Sequence, residues 1–499
     1  MIPRTRLYRF YEMVPGALVW MTLVSGIIFS FLQPLWVIYF ILLFDLYWLF
    51  RVVYFLVFLL LSWRTYRRSV RTDWHAKLIG HTDWDSITHI IFLPFVREST
   101  AIIDAALNSF ATSNYPSQKM IIVLGGEERA REHAQSVISE MKRTYEHAFA
   151  AFITTIHPDD IVGEIKSKGA NLHFMGIAAK KTIDSLGISY ERVVVSAFDS
   201  DTIVHPDYFA CLTHTYLSHP NRTHSSYQPV VLYNNNIWDS PAPTRLAAFS
   251  TTFWLMTELV RPDRLFTFSS HSMPFQALVD VGYWDPTIVS EDSRIFLQCF
   301  IRYDGEYEVT PLFVPVSMDT VRSEGTWKSI VSLYIQQRRW AWGVEHFPYL
   351  MVHFFNNRRI ALGKRLKILW NQTEGMYTWA TAPFIILLLG RMPLMFLQGS
   401  DQTSIVAQNA PQILEVLLNA SFAGIFVIAL VSMTLLPSRP KHHAAYRIVS
   451  MLLQWLLLPV SIILLSSIPA LDAQTRLMFG RYLGFYVTEK SRATAPQSV

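Results

Sequence analysis

Long apolar stretches near both ends of the chain constrain its fold more than any other feature. Two of them, residues 17–32 and 35–62, come first, and three more cover residues 377–397, 412–436 and 447–471. A helix needs about 20 apolar residues to cross a bilayer, and each stretch has that length or nearly so. The sequence therefore predicts membrane-spanning helices on both sides of a middle region of different character.

The composition of the whole chain supports this interpretation. Of its 499 residues, 51% are hydrophobic and only 16% are charged, whereas a typical soluble domain has about 25% charged residues. Because basic clusters at the membrane edges account for the net charge of +5, we expect no nucleic-acid partner. The two cysteines, Cys211 and Cys299, are too few for a disulfide-based scaffold.

Basic residues flank the first two apolar stretches on their outer sides. Positive charge marks the cytoplasmic ends of membrane helices, so both ends of this pair are expected in the cytoplasm. No small-residue cleavage site follows the first stretch, which indicates a retained anchor rather than a removed signal peptide. The sequence thus predicts an integral protein of the plasma or inner membrane that contacts membrane lipids and has a cytoplasmic middle region. The flanking residues are Arg4, Arg6 and Arg9 before the pair and Arg64, Arg67, Arg68 and Arg71 after it.

The middle region alternates between two patterns. Short apolar runs of strand length cover residues 89–95, 120–124, 150–156 and 193–198, and helical spacing of apolar residues separates them. The pair Gly125-Gly126 is expected to end the second run. Strands that alternate with helices predict an α/β domain with a mostly parallel sheet, whose ligands bind at the carboxyl ends of the strands.

Two aspartates, Asp199 and Asp201, come directly after the fourth run. Paired carboxylates can bind Mg²⁺ or Mn²⁺, and such an ion can neutralise the charge of a leaving diphosphate. An isolated D-x-D sequence is more often a solvated turn. Its place at the end of an apolar strand favours the metal site.

A second acidic pair, Glu291 and Asp292, precedes a helical pattern. Transfer of a group onto an acceptor hydroxyl needs a carboxylate that removes its proton, and Asp292, with Glu291 beside it, is our candidate. The alternative is an acidic pair that stabilises a helix N-terminus through the helix dipole. Taken alone, that alternative is the commoner one.

A third group lies on a predicted helix at residues 326–347. Gln336, Arg339 and Trp340 are spaced so that they share one face of that helix. An arginine can hold a diphosphate with two hydrogen bonds, and a tryptophan can stack against a sugar ring. The alternative is an interfacial helix on the bilayer, and the two acidic motifs upstream favour the binding role.

The order D-x-D, E-D and Q-x-x-R-W resembles the family 2 glycosyltransferases, and more narrowly the processive membrane synthases of the cellulose, chitin and hyaluronan group. The resemblance covers about residues 85–345. It implies a GT-A (Rossmann-like) α/β domain in the cytosol, inserted between N-terminal and C-terminal transmembrane helices. It also implies a nucleotide-sugar donor, with a UDP-sugar expected, and Mg²⁺ or Mn²⁺ as the cofactor.

The resemblance also assigns roles to individual residues. Asp199 would contact the nucleotide and the metal, Asp201 would bind the metal, and Asp292 would be the base. The set Gln336, Arg339 and Trp340 would bind the diphosphate and the acceptor end. Three further residues would contact the donor, and a gating loop would cover it. The donor contacts are Lys168, Glu98 and Glu127, and the possible gating loop, with the pattern F-x-V-T-x-K, contains Phe485, Val487, Thr488 and Lys490. The sequence departs from the family where an aspartate pair usually follows the second strand, because Gly125-Gly126-Glu127-Glu128 stands there.

Five parts are expected along the chain. They are a helix pair at 1–72, the catalytic domain at 85–347, an amphipathic interface segment at 348–375, a transmembrane region at 376–471 and a cytosolic tail at 472–499. Three full crossings after residue 370 would place the tail, and with it the gating loop, outside the cell. One stretch is therefore expected not to cross, and residues 447–471, which contain Pro459, are our candidate.

The sequence favours a glycosyltransferase that extends a polysaccharide processively and moves it across the membrane. One alternative is an enzyme that adds a single sugar to a lipid-linked acceptor. A more distant alternative is a transporter or scaffold without catalysis. Intact acidic motifs and the lack of internal symmetry between the apolar stretches argue against that last class.

Overall fold

The computed structural model describes residues 5–441, 443–444 and 446–484, without the side chains of Ser400 and Asp401. Two long helices come first, α1 (Arg6–Leu32) and α2 (Pro34–Ser69), as the apolar pattern predicts. Gln33 separates them, and Pro34 begins α2. A proline suits the first position of a helix because its missing N–H would have no partner there.

One eight-stranded sheet forms the centre of the middle region. Its strand order is β3-β2-β1-β4-β7-β6-β8-β5. The pairs β3–β2, β2–β1, β1–β4 and β6–β8 are parallel, whereas β7 runs antiparallel to β4 and β6, and β5 antiparallel to β8. The four predicted strand runs are β1 to β4, so the predicted α/β pattern is confirmed. The strands are β1 (Thr88–Pro94), β2 (Met120–Glu127), β3 (Ala151–His157), β4 (Val193–Ala197), β5 (Ile203–Val204), β6 (Ser225–Tyr233), β7 (Ser272–Pro274) and β8 (Glu308–Met318).

The second strand does not end where the sequence predicts. Gly125 and Gly126 continue β2 and pair with β3 as far as Glu127. A Cβ at Gly125 would clash with the sulfur of Met175, so the glycine lets helix α6 (Lys168–Leu186) pack directly on the strand. The prediction of a break was wrong because this glycine serves close packing, not a turn.

Helices cover the sheet and carry the third motif. The predicted helix at 326–347 is interrupted, because α11 ends at Ala341 and a 3₁₀ turn leads into α12. Helices in this part are α3 (Trp74–Leu78), α4 (Thr100–Ala111), α5 (Arg131–Tyr145), α6 (Lys168–Leu186), α7 (Tyr208–Ser218), α8 (Ala242–Leu259), α9 (Phe275–Asp280), α10 (Glu291–Arg302), α11 (Thr326–Ala341) and α12 (His346–Asn356).

Among the described residues, four helices are long and apolar enough to cross a membrane. They are Arg6–Leu32, Pro34–Ser69, Ile405–Thr434 and Tyr446–Met478. The apolar stretch 377–397 instead consists of the end of a longer helix as far as Leu389, a turn and the 3₁₀ helix Pro393–Phe396. The longer helix packs so closely on α1 that a Cβ at Gly26 would meet Leu389. The helices after α12 are α13 (Leu362–Phe384), which a π-helical turn extends to Leu389, α14 (Ile405–Thr434), α15 (Tyr446–Leu453), α16 (Leu458–Ile462) and α17 (Ile468–Met478).

The basic cluster at the start of α13 contacts the α/β region. Lys364 lies 2.6 Å from Glu306, and Lys367 lies 2.8 Å from Asp263. These charges therefore join the start of α13 to loops beside the sheet. The same helix also has an exposed apolar stripe. It consists of Leu362, Leu366 and Trp370.

The first helix is bound to the last one. The Arg9 guanidinium donates to the backbone carbonyl of Leu477 at 2.7 Å and to that of Met478. Arg9 also pairs with Glu12 on its own helix. These contacts hold the start of α1 against the end of α17.

Candidate active site

A cleft opens at the carboxyl ends of the parallel strands, where the α/β pattern places ligands. It offers about 1160 Å³ of empty space, part of it open solvent. The three predicted motifs, far apart in sequence, meet in this cleft. The predicted residues that line it are Glu98, Glu127, Lys168, Asp199, Glu291, Asp292, Gln336, Arg339 and Trp340.

The D-x-D aspartates occupy different environments. Asp199 lines the cleft, and its carboxylate accepts a hydrogen bond from the Ser269 hydroxyl at 2.9 Å. Asp201 is fully buried, and its Oδ2 accepts from the backbone N–H of Asp319 at 2.8 Å. Asp201 thereby links the ends of β4 and β8, and Asp319 rather than Asp201 lines the cleft.

The donor chemistry of this pair suits a hard divalent cation. Mg²⁺ is bound in many proteins by one or two carboxylates, and substrate phosphates and water supply the remaining ligands. Within the described part of the chain, no cluster of three or more His, Cys, Asp or Glu side chains is arranged to hold a metal. Asp199 faces the cleft and can contribute one carboxylate to an ion that a phosphate ligand also binds, whereas the buried Asp201 carboxylate is bonded to the Asp319 backbone.

Lys168 brings a positive charge into the acidic cleft. Its Nζ lies 2.6 Å from Asp199, 3.1 Å from Asp292 and 3.7 Å from Glu291. Burial lowers the pKa of Lys168, but Asp199, Asp292 and Glu291 outweigh that effect and raise the pKa above its ordinary value. The lysine therefore stays protonated and balances part of the carboxylate charge.

The two members of the E-D pair differ in how far their side chains are exposed. Glu291 is buried with 2% exposure, whereas the Asp292 side chain is 24% exposed and faces the cleft. Burial and the neighbouring Asp292 raise the pKa of Glu291 to about 8, which favours its neutral form. Of the two carboxyl groups, Asp292 is the one that an acceptor hydroxyl can reach.

Residues that the sequence did not single out hold this pair in place. Glu345 accepts hydrogen bonds from the Ser290 hydroxyl at 2.5 Å and from the Trp342 indole N–H at 3.0 Å. His271 donates from Nδ1 to the Phe268 carbonyl at 3.0 Å, and the same nitrogen lies 3.9 Å from Asp292. Burial lowers the pKa of His271, so the ring is neutral. Only the nearness of Glu345 to the Q-x-x-R-W motif in the sequence could have drawn attention to it.

The Q-x-x-R-W helix forms the opposite wall of the cleft. Trp340 lies between two other rings, with centroid distances of 6.0 Å to Tyr233 and 6.0 Å to Phe268. Arg338, beside the motif residue Arg339, pairs with Asp472 of α17 at 2.9 Å. One wall of the cleft is therefore aromatic, and its helix is connected to the C-terminal helices.

The two glutamates predicted to contact the donor have local partners. Glu98 accepts hydrogen bonds from the backbone N–H groups of Val96 at 2.7 Å and Arg97 at 3.0 Å. Glu127 lies 2.6 Å from Arg129, and burial raises its pKa. Both line the cleft, and their contacts also stabilise the loops that follow β1 and β2.

The helical segments α15, α16 and α17 form the apolar helix Tyr446–Met478, and both of its ends contact the α/β region. Near its start, Arg447 donates to the Trp238 carbonyl at 2.7 Å, and near its end Asp472 binds Arg338. Both ends of this helix are therefore held against the α/β region. The predicted gating loop, with Phe485, Val487, Thr488 and Lys490, lies outside the described residues.

The solved structures that match this chain have low sequence identities and low TM-scores. Mannosyltransferase PcManGT from Pyrobaculum calidifontis, in complex with GDP-Man and Mn²⁺, is 12% identical with a TM-score of 0.39 and covers 81% of this chain and 99% of its own. S. aureus TarS 1-349 with UDP-GlcNAc is 12% identical with a TM-score of 0.34 and covers 70% and 91%. GalNAc-T7 with UDP, GalNAc and Mn²⁺ is 11% identical with a TM-score of 0.31 and covers 61% and 58%.

Sequence families give a firmer result. No curated protein sequence matched the chain. The family model for glycosyl transferase family group 2 matches residues 194–468, which is more than half of the chain and includes the D-x-D, E-D and Q-x-x-R-W motifs. The α/β fold class of GT-A type between apolar helices, predicted from the sequence, agrees with this match. The chain belongs to glycosyl transferase family group 2 and is a glycosyltransferase.

Proposed function

We propose that this enzyme transfers a sugar, with inversion and with the help of a divalent cation, from a nucleotide-sugar donor to a growing polysaccharide. We propose further that it acts processively and passes the product through its membrane helices. The observation that carries the proposal is the meeting of Asp199, Asp292 and the face of Arg339 and Trp340 in one cleft.

The strand-end wall is the proposed donor site. Asp199 and Asp201 would hold Mg²⁺ or Mn²⁺, and such an ion, when bound, neutralises charge on the diphosphate leaving group. Arg339 and Gln336 face the same cleft and supply hydrogen-bond donors for phosphate oxygens. The planar guanidinium group of Arg339 can hold the departing diphosphate with two hydrogen bonds.

Asp292 is the proposed base. Its partly exposed carboxylate faces the cleft, where it can accept the proton of an acceptor hydroxyl while the oxygen attacks the anomeric carbon. His271 and Glu345 orient the surrounding segment without contacting the substrate. Glu291 lies behind Asp292, and its raised pKa keeps a second negative charge away from the base.

The aromatic wall is the proposed acceptor site. Trp340 is partly exposed between Tyr233 and Phe268, and rings in this arrangement can stack against the apolar face of a sugar. Stacking holds a sugar ring without reading each hydroxyl. This suits an acceptor that advances by one unit after each transfer.

We propose that the catalytic domain is cytoplasmic and that Tyr446–Met478 stays on its side of the membrane. The contacts of Arg447 and Asp472 with the α/β region support this arrangement. The five predicted parts, 1–72, 85–347, 348–375, 376–471 and 472–499, then leave four crossings, which are α1, α2, α14 and the helix of α13 that continues to Leu389. That last helix does not by itself have the apolar character of the four helices described above, and it would cross packed against α1.

The function is tested with purified protein in lipid nanodiscs and a panel of labelled nucleotide sugars. Transfer is expected for at least one donor, to require Mg²⁺ or Mn²⁺, and to give long products before most acceptors are used. Transfer that persists in excess EDTA would refute the role of the metal. A product with one added sugar on a lipid-linked acceptor would refute processivity.

The topology is tested on sealed vesicles of known orientation that carry a C-terminal tag. Protease added to the cytoplasmic side is expected to remove the tag, because the proposed arrangement has four crossings before it. Cleavage only from the opposite side would refute the cytoplasmic tail. A tag in the loop between α13 and α14 is the matched control and should be cut only from the outer side.

A further inference from the structure

Lys168 pairs with carboxylates for which a bound divalent cation would compete. Its ammonium group bridges the carboxylate proposed to hold the metal, Asp199 at 2.6 Å, and the proposed base, Asp292 at 3.1 Å. The lysine side chain is only 11% exposed, so little water screens these charges. The two carboxylates on which catalysis would depend therefore share one internal cation.

The backbone that carries Lys168 is firmly held. Lys168 is the first residue of α6, whose start is capped by the Ser167 side chain, which accepts from the backbone N–H of Ala170. The Asn171 side chain donates to the Gly125 carbonyl at 3.0 Å. Gly169 packs so closely on Glu291 that a Cβ there would lie 2.9 Å from it. The backbone cannot shift easily, but the long lysine side chain can change direction.

A divalent cation at Asp199 and the ammonium group of Lys168 would repel each other strongly. Both would lie within a few ångströms in a cleft from which water is largely excluded. A donor diphosphate would relieve that conflict, because its oxygens offer the ammonium group a new partner next to the metal.

Resting on the metal-dependent function proposed above, we propose that Lys168 is an exchangeable internal counter-ion. In the empty cleft it holds Asp199 and Asp292. When a divalent cation and a nucleoside diphosphate group enter together, it leaves Asp199 and binds a phosphate oxygen. The exchange frees Asp292 as the base only when the donor is present.

Competition between the lysine and the metal has a measurable consequence. The donor-free enzyme should bind a divalent cation weakly, and a nucleoside diphosphate should strengthen that binding. Because coupling between two ligands is reciprocal, the metal should strengthen nucleotide binding by the same factor. Removal of the lysine charge should remove most of this coupling.

The test is a titration of the full-length protein with Mn²⁺ alone and with Mn²⁺ in the presence of UDP or GDP, followed by the electron paramagnetic resonance signal of free Mn²⁺. Lys168→Met is expected to bind Mn²⁺ alone at least tenfold more tightly than the wild type and to show a much smaller strengthening of Mn²⁺ binding by the nucleotide. Lys168→Arg should resemble the wild type. Lys166→Met is the matched control, because Lys166 is exposed and pairs with Asp159. Equal or weaker Mn²⁺ binding by Lys168→Met would overturn the exchange.

A second measurement needs no variant and covers the case in which Lys168→Met does not fold. Brief acetylation of the wild-type protein, read by mass spectrometry, compares the modification of Lys168 with that of Lys166. Mn²⁺ alone is expected to raise the Lys168 to Lys166 ratio, and an unchanged ratio under Mn²⁺ saturation would overturn the exchange. If the wild type binds no Mn²⁺ even with a nucleotide, the metal-dependent function itself fails. Mn²⁺ binding that is independent of Lys168 refutes the exchange alone.

Discussion

The two walls of the cleft are built from different chemistry. The wall at the strand ends, here called the charged wall, has Asp199 and Asp292 balanced by Lys168. The wall of α11, here called the ring wall, has aromatic side chains, with Trp340 between Tyr233 and Phe268. Charges on a rigid sheet edge suit a step that moves a proton and releases a diphosphate. Rings suit a substrate that must be held and then moved.

The largest effect is expected on the charged wall. Asp292→Asn keeps the shape of the side chain but removes the base, so the maximal rate of transfer should fall by about a thousandfold. The initial rate with a radiolabelled donor at saturating concentration measures this. Asp83→Asn, on an exposed loop, is the control and should keep the wild-type rate. A rate for Asp292→Asn within a few-fold of the wild type would show that the charged wall does not supply the base.

The ring wall should respond differently. Trp340→Ala removes a large stacking surface, and burial of such a ring contributes about 1.5–3 kcal/mol, so kcat/KM for the acceptor should fall by about ten- to a hundredfold. Hydrolysis of the donor by water should change far less, since the charged wall is intact. Trp327→Ala, on an exposed position of the same helix, is the control. An equal loss of hydrolysis and transfer would mean that the two walls do not act separately.

The link between the ring wall and the C-terminal helices should have a smaller effect. Asp472→Asn weakens the pair with Arg338, and partly exposed ion pairs contribute about 0.2–1 kcal/mol, so product formation should fall by up to about fivefold. The charge-swapped double variant Arg338→Asp with Asp472→Arg should recover part of the loss. If the double variant is less active than either single variant, α17 does not position the ring wall through this pair.

The smallest effect concerns the pH dependence of stability. The pKa of Glu291 is about 8 in the folded protein, above its ordinary value of 4.5. A raised pKa means that the folded state favours the proton, so this contribution to stability is full below pH 4.5 and is lost as the pH rises to 8. Glu291→Gln should therefore gain in melting temperature relative to the wild type between pH 5 and 8, by about 1 °C for each kcal/mol in a chain of this length. A difference that does not vary with pH would contradict the burial of a protonated Glu291.

Local patterns in the sequence predicted much of this architecture. The strands β1 to β4 could be recognised because each is a continuous apolar run, as expected for strands buried on both faces. The place of the aspartates at the end of β4 followed from the apolar run before them, and the shared face on α11 followed from the spacing of its residues. Asp319 and Glu345 could not be recognised, because their importance comes from contacts between segments far apart in the sequence.

Hydropathy alone could not distinguish the last two apolar helices. Ile405–Thr434 and Tyr446–Met478 are both apolar enough and long enough to cross a membrane. Only the second has polar contacts with the α/β region at both ends, through Arg447 and Asp472. The placement of an apolar helix therefore depends on a few polar side chains that an average over the helix does not register.

The bond between Arg9 and the end of α17 has a consequence for biosynthesis. The two partners are 468 residues apart, so a ribosome that adds about 5–20 residues per second needs roughly 25 to 95 seconds between making one and making the other. A chain that ends before residue 477 lacks both carbonyl acceptors of Arg9, so the guanidinium would keep only its pair with Glu12 on its own helix.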